Sequence, residues 1–290
     1  MRVPYRLDLS ATILRRLSSN VVDVFDGTTY RRLLGDPADP TLLSVEQRAP
    51  DAVRVRLEGP QAHRYDPVAV VRRALGTDVD LGGFYAGARA VPWLARIAAG
   101  ARGVKPPRYP TLWEAVVNSV VYQQVSIHAA GAILRRTIER YAAPRDVAGM
   151  RLYPFYAART MRDADPLELR GLGLSINKIN ALKAVAAALE DGTLDEAALA
   201  PLPTPDLLAA LVAHKGIGPW TAAVIALRGF GRLDVFPMND SGATASLRTL
   251  SGDPSIEAEP VIAALVPQQG MLYYHLLLGR LVERGEVSLA

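Results

Sequence analysis

The stretch that decides the fold is Lys215-Gly216-Ile217-Gly218-Pro219-Trp220-Thr221-Ala222, followed further along by Val235-Phe236-Pro237-Met238-Asn239-Asp240. The first segment predicts a tight, glycine-bracketed turn between a helix that ends at Lys215 and a helix that begins at Trp220. The second segment carries one carboxylate, Asp240. The pairing predicts two helices joined by a sharp turn, with an acid on the segment behind them.

The turn has the properties of a phosphate-binding site. Gly216 and Gly218 permit positive φ angles and leave the backbone amides uncovered. The first amides of the second helix have no partner within the helix, and the helix dipole adds positive potential, so a phosphate oxygen can bind there. An ordinary corner between two helices is the alternative, because a Gly-x-Gly turn is common.

Length and composition predict a folded protein with an anionic partner. The 290 residues are 50% hydrophobic, enough for two or three compact subdomains. Basic residues outnumber acidic ones by 33 to 29, and the pI is near 9.4. Nearly all the positive charge is arginine, which suits bidentate phosphate contacts. A genome that prefers arginine codons explains this equally well.

The composition also excludes several classes of site. The chain has no cysteine, which excludes disulfides, thiolate zinc sites and cysteine-ligated iron-sulfur clusters. The four histidines, His63, His128, His214 and His275, are too scattered for a local metal motif. Early charges and interrupted apolar runs argue against a signal peptide or a membrane span. We therefore expect a cytoplasmic monomer that has no membrane partner.

Residues 1–84 are predicted to form a small α+β domain. Val53, Val55 and Leu57 alternate with charged residues, as in a strand with one wet face, and residues 42–45 supply its neighbour. Asp66-Pro67 begins a helix that Gly76 ends.

Everything after residue 84 is predicted to be helical. Thr111-Leu112-Trp113-Glu114 has the pattern of a capping box, in which Thr111 and Glu114 each satisfy an amide of the first turn. Further helix starts are predicted at Ser126, Asp165-Pro166, Ser175 and Thr204-Pro205, and a helix end at Gly192.

Three blocks carry a resemblance to a known family. They are Tyr122-Gln123-Gln124-Val125-Ser126, then Gly171-Leu172-Gly173-Leu174 with Lys178, then Gly216 through Leu227-Arg228-Gly229-Phe230 to Asp240. Their order and spacing resemble the helix-hairpin-helix (HhH-GPD) superfamily of DNA glycosylases, and most closely its AlkA-like 3-methyladenine DNA glycosylase II enzymes. The resemblance covers about residue 85 to the end, and the front section is similar less specifically.

The resemblance implies both a fold and an activity. The fold is mostly α with a small α+β N-terminal domain, and two helical subdomains, about 112–230 and 85–111 plus 231–290, flank an active-site cleft. The activity is excision of alkylated bases such as 3-methyladenine and 7-methylguanine from duplex DNA, by base flipping and Asp-assisted hydrolysis, which initiates base excision repair. Relatives that also cleave the strand use a lysine where Trp220 stands, and tryptophan cannot form an imine, so no lyase activity is expected.

Asp240 is the family-matched catalytic carboxylate. Breaking the glycosidic bond develops an oxocarbenium-like sugar, which a fixed negative charge stabilises. Asn239 stands where relatives often carry a second acid. A plain N-cap role for Asp240 is the alternative, and both roles can hold because a cap would also orient the carboxylate.

The resemblance places four residues at the base pocket. Trp220 is the aromatic face for a cationic base, with core packing as the alternative. Val224 and Gln268 stand where the best-known relatives carry Tyr and Trp, and Tyr273 could restore aromatic surface unless it packs in the core. Our hypothesis is a roomier, less aromatic pocket that admits bulkier or less charged lesions.

The remaining site residues are expected to contact DNA or an ion. Gln124, in a loop with Val125 and Ser126, is expected to fill the gap left by the flipped base, unless it only caps a helix end. Lys215 is either a phosphate contact or a surface lysine. The other expected DNA contacts are Gly216, Gly218 and Thr221. The resemblance implies a monovalent cation, Na⁺ or K⁺, on the carbonyls of Val212, His214 and Ile217, and no required cofactor.

Two other functions stay open at this point. One is a glycosylase of the same superfamily that acts on other damaged or mismatched bases. The other is a non-catalytic module that binds damaged DNA through the hairpin alone.

Overall fold

The computed structural model describes residues 1–2 and 4–289, which form a mostly helical chain with a small antiparallel sheet near the N-terminus. The strands are β1 (Val24–Phe25), β2 (Thr29–Leu34), β3 (Thr41–Ala49), β4 (Ala52–Glu58), β5 (Arg145–Val147) and β6 (Met150–Leu152). The helices are α1 (Leu7–Arg15), α2 (Pro67–Leu75), α3 (Gly82–Ala88), α4 (Pro92–Gly100), α5 (Leu112–Val121), α6 (Ile127–Tyr141), α7 (Ala158–Asp163), α8 (Pro166–Gly171), α9 (Ile176–Glu190), α10 (Glu196–Leu199), α11 (Thr204–Val212), α12 (Pro219–Arg228), α13 (Ser241–Ser251), α14 (Ala258–Ala263) and α15 (Gly270–Glu283). The predicted fold class is confirmed.

The N-terminal sheet is a meander in the order β1-β2-β3-β4. Tyr30 on β2 pairs with Val45 on β3, which pairs with Val55 on β4. The alternation predicted for residues 53–57 is confirmed, and so is the neighbouring strand. The sheet therefore lies against the helices through the apolar face that the sequence indicates.

Most of the predicted helix starts are confirmed by side-chain caps. The carboxylates of Asp66 and Asp165 and the hydroxyls of Ser126 and Ser175 each accept a hydrogen bond from an amide of the first turn. α2 also ends where predicted, at Gly76, which has a left-handed conformation. Short-range chemistry thus fixes these boundaries.

The predicted capping box at Thr111 is only half formed. The Thr111 hydroxyl accepts from the Glu114 amide at 3.2 Å, as expected. The Glu114 carboxylate does not reach back along its own helix but accepts from the buried Arg32 of β2. Arg32 also donates to Asp23 at 2.6 Å, so a buried ionic network fastens the sheet to α5. A buried guanidinium needs carboxylate partners. Glu114 therefore binds Arg32 rather than an amide of its own first turn.

The prediction that everything after residue 84 is helical is wrong at β5 and β6. These strands form a two-stranded hairpin between α6 and α7. Its turn residues, Ala148 and Gly149, have φ angles of 50° and 76°. Two positive φ angles match the twist of a tight hairpin, but alanine gives no sequence signal for one.

Two hydrophobic cores place the cleft between them. The first core joins the sheet to α5, α6, α9, α11 and α12. The second joins α3, α4, α13 and α15, together with Leu9 and Ile13 from the buried side of α1. Elements of both cores border the main cleft. The domain boundary near residue 84 and the two helical subdomains stay predictions.

Within residues 1–2 and 4–289, no helix has the length and apolarity that crossing a bilayer requires.

Candidate active site and DNA-binding hairpin

The predicted turn between two helices is present as the hairpin between α11 and α12. The buried Ile217 anchors it, and its amide donates to the His214 carbonyl at 3.1 Å. Gly216 has a φ of 93°, and a Cβ there would lie 2.4 Å from the Ala181 Cβ on α9. Gly216 is therefore required both for the turn and for close packing.

Gly218 has a different role from the one that positive φ would indicate. Its φ is −84° and its ψ is 174°, so it is an extended N-cap residue of α12. A Cβ added at Gly218 would meet nothing within 4 Å. Glycine there is not required by the protein's own packing. Its effect is to keep the surface in front of the helix start free for a ligand.

The start of α12 offers backbone donors. No side chain caps the helix among the described residues, and its first helical hydrogen bond runs from the Ala222 amide to the Gly218 carbonyl at 2.9 Å. The amides of Trp220 and Thr221 precede that bond and have no acceptor within the helix. Lys215, in the turn that precedes α12, is exposed. This geometry suits an anionic oxygen, and phosphate binding at the hairpin stays a prediction.

Asp240 sits at the start of α13 and is held by three donors. Its Oδ1 accepts from the Ala243 amide at 2.8 Å. Its Oδ2 accepts from Trp220 Nε1 at 3.1 Å and from the Tyr273 hydroxyl at 3.3 Å. The residue is therefore an N-cap, and the same bonds fix the orientation of its carboxylate in the cleft.

The two aromatic donors have clear positions. Trp220 is half-buried and lines the cleft, so it is not a plain core residue. Tyr273, on α15, also lines the cleft, and its ring makes a T-shaped contact with Phe236. Burial and the neighbouring Asp240 carboxylate raise the pKa of Tyr273 to about 12. The hydroxyl therefore keeps its proton and remains a hydrogen-bond donor to Asp240 at neutral pH.

The cleft has a volume of about 1030 Å³ and brings most of the predicted pocket residues together. Val224 lies in its wall with 1% of its surface exposed. Gln268 does not lie in the cleft, which corrects its assignment to the base pocket. Its Oε1 accepts from the Phe84 amide at 2.7 Å and its Nε2 donates to the Asp80 carbonyl at 2.6 Å, so it caps the start of α3 instead.

The loop between α5 and α6 projects Gln124 at the cleft. Gln124 is exposed and has a φ of 54°, an unusual conformation for a residue with a side chain. Val125, beside it, is 39% exposed, and Ser126 begins α6 through its cap. All three lie in the cleft wall. Gln124 does not cap α6, since Ser126 has that role.

Two polar contacts support this loop. Gln123 Nε2 donates to the Thr221 hydroxyl at 2.7 Å, which ties the loop to the hairpin helix. Lys178 Nζ donates to the Val121 carbonyl at the end of α5 at 2.8 Å. Thr221 is only 2% exposed, and its hydroxyl is already occupied by the loop.

The predicted cation site stays a prediction. The His214 carbonyl already accepts from the Ile217 amide, and a carbonyl oxygen has a second lone pair for a cation. The carbonyl of Val212 lies in the last turn of α11. Within the described part of the chain, no group of three or more His, Cys, Asp or Glu side chains could hold a metal ion.

Sequence reasoning missed Arg16. This residue follows α1 in the N-terminal part, yet it lines the cleft with Asp240 and Tyr273. Its Cζ lies 4.1 Å from the centre of the Tyr122 ring. The spacing of the motifs gives no signal for it, because only the packing of α1 against the helical region brings it there.

Comparison with known proteins identifies the family. Residues 117–266, just over half of the chain, match the family described as HhH-GPD superfamily base excision DNA repair protein. A Mycobacterium tuberculosis protein described as a probable bifunctional transcriptional activator/DNA repair enzyme AlkA is 33% identical over 79% of this chain and 45% of its own length. DNA-3-methyladenine glycosylase 2 of Escherichia coli is 30% identical over 51% of each chain.

The whole fold also has a counterpart among solved structures. The 3-methyladenine DNA-glycosylase from Archaeoglobus fulgidus superposes with a TM-score of 0.79 over 97% of this chain and 98% of its own, at 19% identity. That identity shows a shared fold alone. The alignments with the two sequence relatives span about half the length of each. On the family match and the hairpin with its acid, the chain belongs to the HhH-GPD superfamily of base excision DNA repair proteins.

Proposed function

We propose that this protein is a monofunctional DNA glycosylase that excises alkylated bases from duplex DNA and so initiates base excision repair. The observation that carries the proposal is the Asp240 carboxylate, oriented by three donors in the cleft beside the hairpin. The name of the E. coli relative, a DNA-3-methyladenine glycosylase, supports alkylated purines as the substrate class.

The chemistry follows from the position of that carboxylate. When the bond between the base nitrogen and C1′ breaks, its electron pair leaves with the base and the sugar becomes an oxocarbenium ion. Asp240 provides fixed negative charge for that cation. A water then adds to C1′ and loses a proton to Asp240 or to solvent, which leaves an abasic site.

Binding is proposed to use the hairpin and the neighbouring loop. The amides at the start of α12, with Lys215 beside them, contact the DNA backbone without reading its sequence. The lesion is flipped into the cleft, because the target bond is inaccessible inside the stack. Gln124 enters the gap and hydrogen-bonds the orphaned partner base. We expect the protein to act on DNA as a monomer.

The absence of lyase chemistry is proposed from the side chains of the cleft. A lyase needs an amine that forms an imine with the sugar. Trp220 occupies the hairpin position where a lysine would stand, and the described residues that line the cleft include no lysine. Water is then the nucleophile, and the DNA strand stays intact.

The proposed pocket accepts bulky as well as small alkylated bases. Val224 presents a small aliphatic wall beside the Trp220 face. Gln268 adds no polar group, because it is engaged at α3. Excision confined to small methylpurines would contradict this part of the proposal.

A lesion panel under single-turnover conditions tests the function. Duplexes carry 3-methyladenine, 7-methylguanine, 1,N6-ethenoadenine or 8-oxoguanine, and released base and strand breaks are measured separately. We expect release of the alkylated bases, with breaks only after alkali. Strand nicking with covalent trapping by borohydride would overturn the monofunctional assignment. Release of 8-oxoguanine alone would assign another substrate class, and binding without release would show a damage sensor.

A further inference from the structure

Arg16 is a buried cation in a cleft proposed to receive cationic bases. Only 7% of its surface is exposed, and it lines the same cleft as Asp240. An aromatic face such as that of Trp220 attracts a methylated purine that carries a positive charge. A guanidinium in the same cleft would repel such a lesion. The proposed function therefore assigns no role to the positive charge of Arg16.

The backbone directs Arg16 out of α1. Its amide closes the last turn of the helix onto the Thr12 carbonyl at 2.9 Å. Its φ is 62° and its ψ is −51°, and the Leu17 amide donates to the Arg15 carbonyl at 2.7 Å, so Arg16 lies at the centre of a γ-turn with positive φ, which is rare and strained. Such strain persists where the surrounding structure holds the residue in place, and it is often found at functional sites.

The guanidinium has no carboxylate partner. Arg16 forms no ion pair within 4.0 Å among the described residues, and its Nε has no hydrogen-bond partner. Its Cζ stacks over the Tyr122 ring. Burial acts to lower the pKa of Arg16, but Coulombic attraction from neighbouring groups, the Asp240 carboxylate among them, outweighs it, and the net pKa is raised. Arg16 is therefore charged, and its guanidinium is held by the ring and hydroxyl of Tyr122 rather than by a carboxylate.

We propose that Arg16 is a specificity-determining residue that favours neutral lesions by stabilising the negative charge on the departing base. This inference rests on the proposed glycosylase function and names the lesion class. The cleft then holds two opposite charges suited to one bond cleavage. Asp240 faces the sugar that becomes a cation, and Arg16 faces the base that becomes an anion.

The charge balance separates two kinds of lesion. A neutral base such as 1,N6-ethenoadenine or hypoxanthine takes the electron pair of the broken bond and leaves as an anion, which later takes a proton from water. A base that is already cationic, such as 7-methylguanine, takes the same electron pair and leaves neutral. Arg16 lowers the barrier only in the first case, because only there does negative charge develop on the base.

The test compares Arg16→Gln with the wild type on matched duplexes. Single-turnover excision rates are measured for 1,N6-ethenoadenine, hypoxanthine and 7-methylguanine. Loss of one preorganised donor costs about 10²–10³ in rate, so excision of the two neutral lesions should fall about 100-fold. Excision of 7-methylguanine should stay within about 3-fold of wild type or rise, since a repulsive charge is gone. Arg16→Lys keeps the charge and should recover part of the loss.

The controls separate a specific role from a structural one. Arg15→Gln makes the same change one residue earlier, where Nη1 donates to the Phe25 carbonyl outside this cleft, and should leave all three rates unchanged. Thermal unfolding of each variant reports on folding. Equal losses on all three lesions, or no loss on the neutral pair, would overturn the proposal for Arg16. A wild type that releases no base at all would instead overturn the proposed function.

Discussion

The two glycines of the hairpin give the sharpest prediction, because the same substitution should have different effects at each. At Gly216, alanine must keep a φ of 93° and place its Cβ 2.4 Å from the Ala181 Cβ and 2.8 Å from the Ala181 Cα. At Gly218 the φ is −84° and the added Cβ meets nothing within 4 Å. Gly216→Ala should therefore lower protein stability, whereas Gly218→Ala should affect only what approaches from outside.

The magnitudes follow from the two environments. The left-handed conformation costs alanine about 1–2 kcal/mol, and forcing a methyl group against backbone costs about 1–3 kcal/mol more. Alanine also restricts the unfolded chain more than glycine does, which stabilises the folded protein by about 0.4–1 kcal/mol. In total, Gly216→Ala should destabilise the protein by about 2–4 kcal/mol. At Gly218, alanine restricts the unfolded chain in the same way, but it is a poorer N-cap residue than glycine by a similar amount. The stability of the protein should therefore stay nearly constant.

Urea unfolding and DNA binding read out the two effects. Gly216→Ala should lower the unfolding midpoint with an unchanged m-value. Gly218→Ala should keep the midpoint but bind duplex DNA more weakly, with a shallower dependence of affinity on salt, because its methyl group occupies the place of a phosphate. A Gly218→Ala protein that binds DNA like wild type would refute the hairpin clamp. A Gly216→Ala protein of wild-type stability would refute the packing argument.

Three further predictions concern single side chains. Trp220→Phe keeps an aromatic face but removes the donor to Asp240, a hydrogen bond to a charged group worth about 1.5–3 kcal/mol, so single-turnover excision should slow by about 10- to 100-fold with little change in DNA affinity. An unchanged rate would show that this bond does not position the carboxylate. Gln124→Ala should lower the flipped fraction about 5-fold, the value of one net hydrogen bond, as measured by 2-aminopurine fluorescence, and unaltered fluorescence would remove Gln124 from its proposed role. Burial lowers the pKa of His275 to about 4, so its contribution to stability is complete above about pH 6.5 and is lost as the pH falls toward 4, by up to about 3 kcal/mol. Urea unfolding at several pH values should show a weaker acid dependence in His275→Leu than in wild type, and identical pH profiles would contradict this assignment.

Local chemistry made much of the fold predictable. Asp66, Ser126 and Ser175 cap helices through their own side chains, so a few neighbouring residues determine those boundaries. The hairpin and the position of Asp240 at a helix start could likewise be predicted, because each depends on a few neighbouring residues.

Long-range packing decided what the sequence could not show. The Glu114 carboxylate accepts a hydrogen bond from Arg32, 82 positions earlier in the chain, instead of completing the capping box. Gln268 caps the start of α3 through the Phe84 amide, 184 positions earlier in the chain, and does not line the base pocket. Arg16 reached the cleft because α1 contributes Leu9 and Ile13 to the second core. None of these contacts has a local pattern, since each depends on which surfaces meet after the chain has folded.

The central claim is that the Asp240 charge drives base release. Asp240→Asn is the cleanest test, because asparagine caps a helix as well as aspartate does and the fold should be retained. Asp234→Asn makes the same chemical change at an exposed position outside the cleft and serves as the matched control.

The decisive measurement is the single-turnover rate of 7-methylguanine release from duplex DNA by wild type, Asp240→Asn and Asp234→Asn. We predict that Asp240→Asn binds the duplex but releases the base at least about 10²–10³-fold more slowly, the loss typical of one electrostatic stabiliser, while Asp234→Asn matches wild type. Release by Asp240→Asn at the wild-type rate would contradict the account.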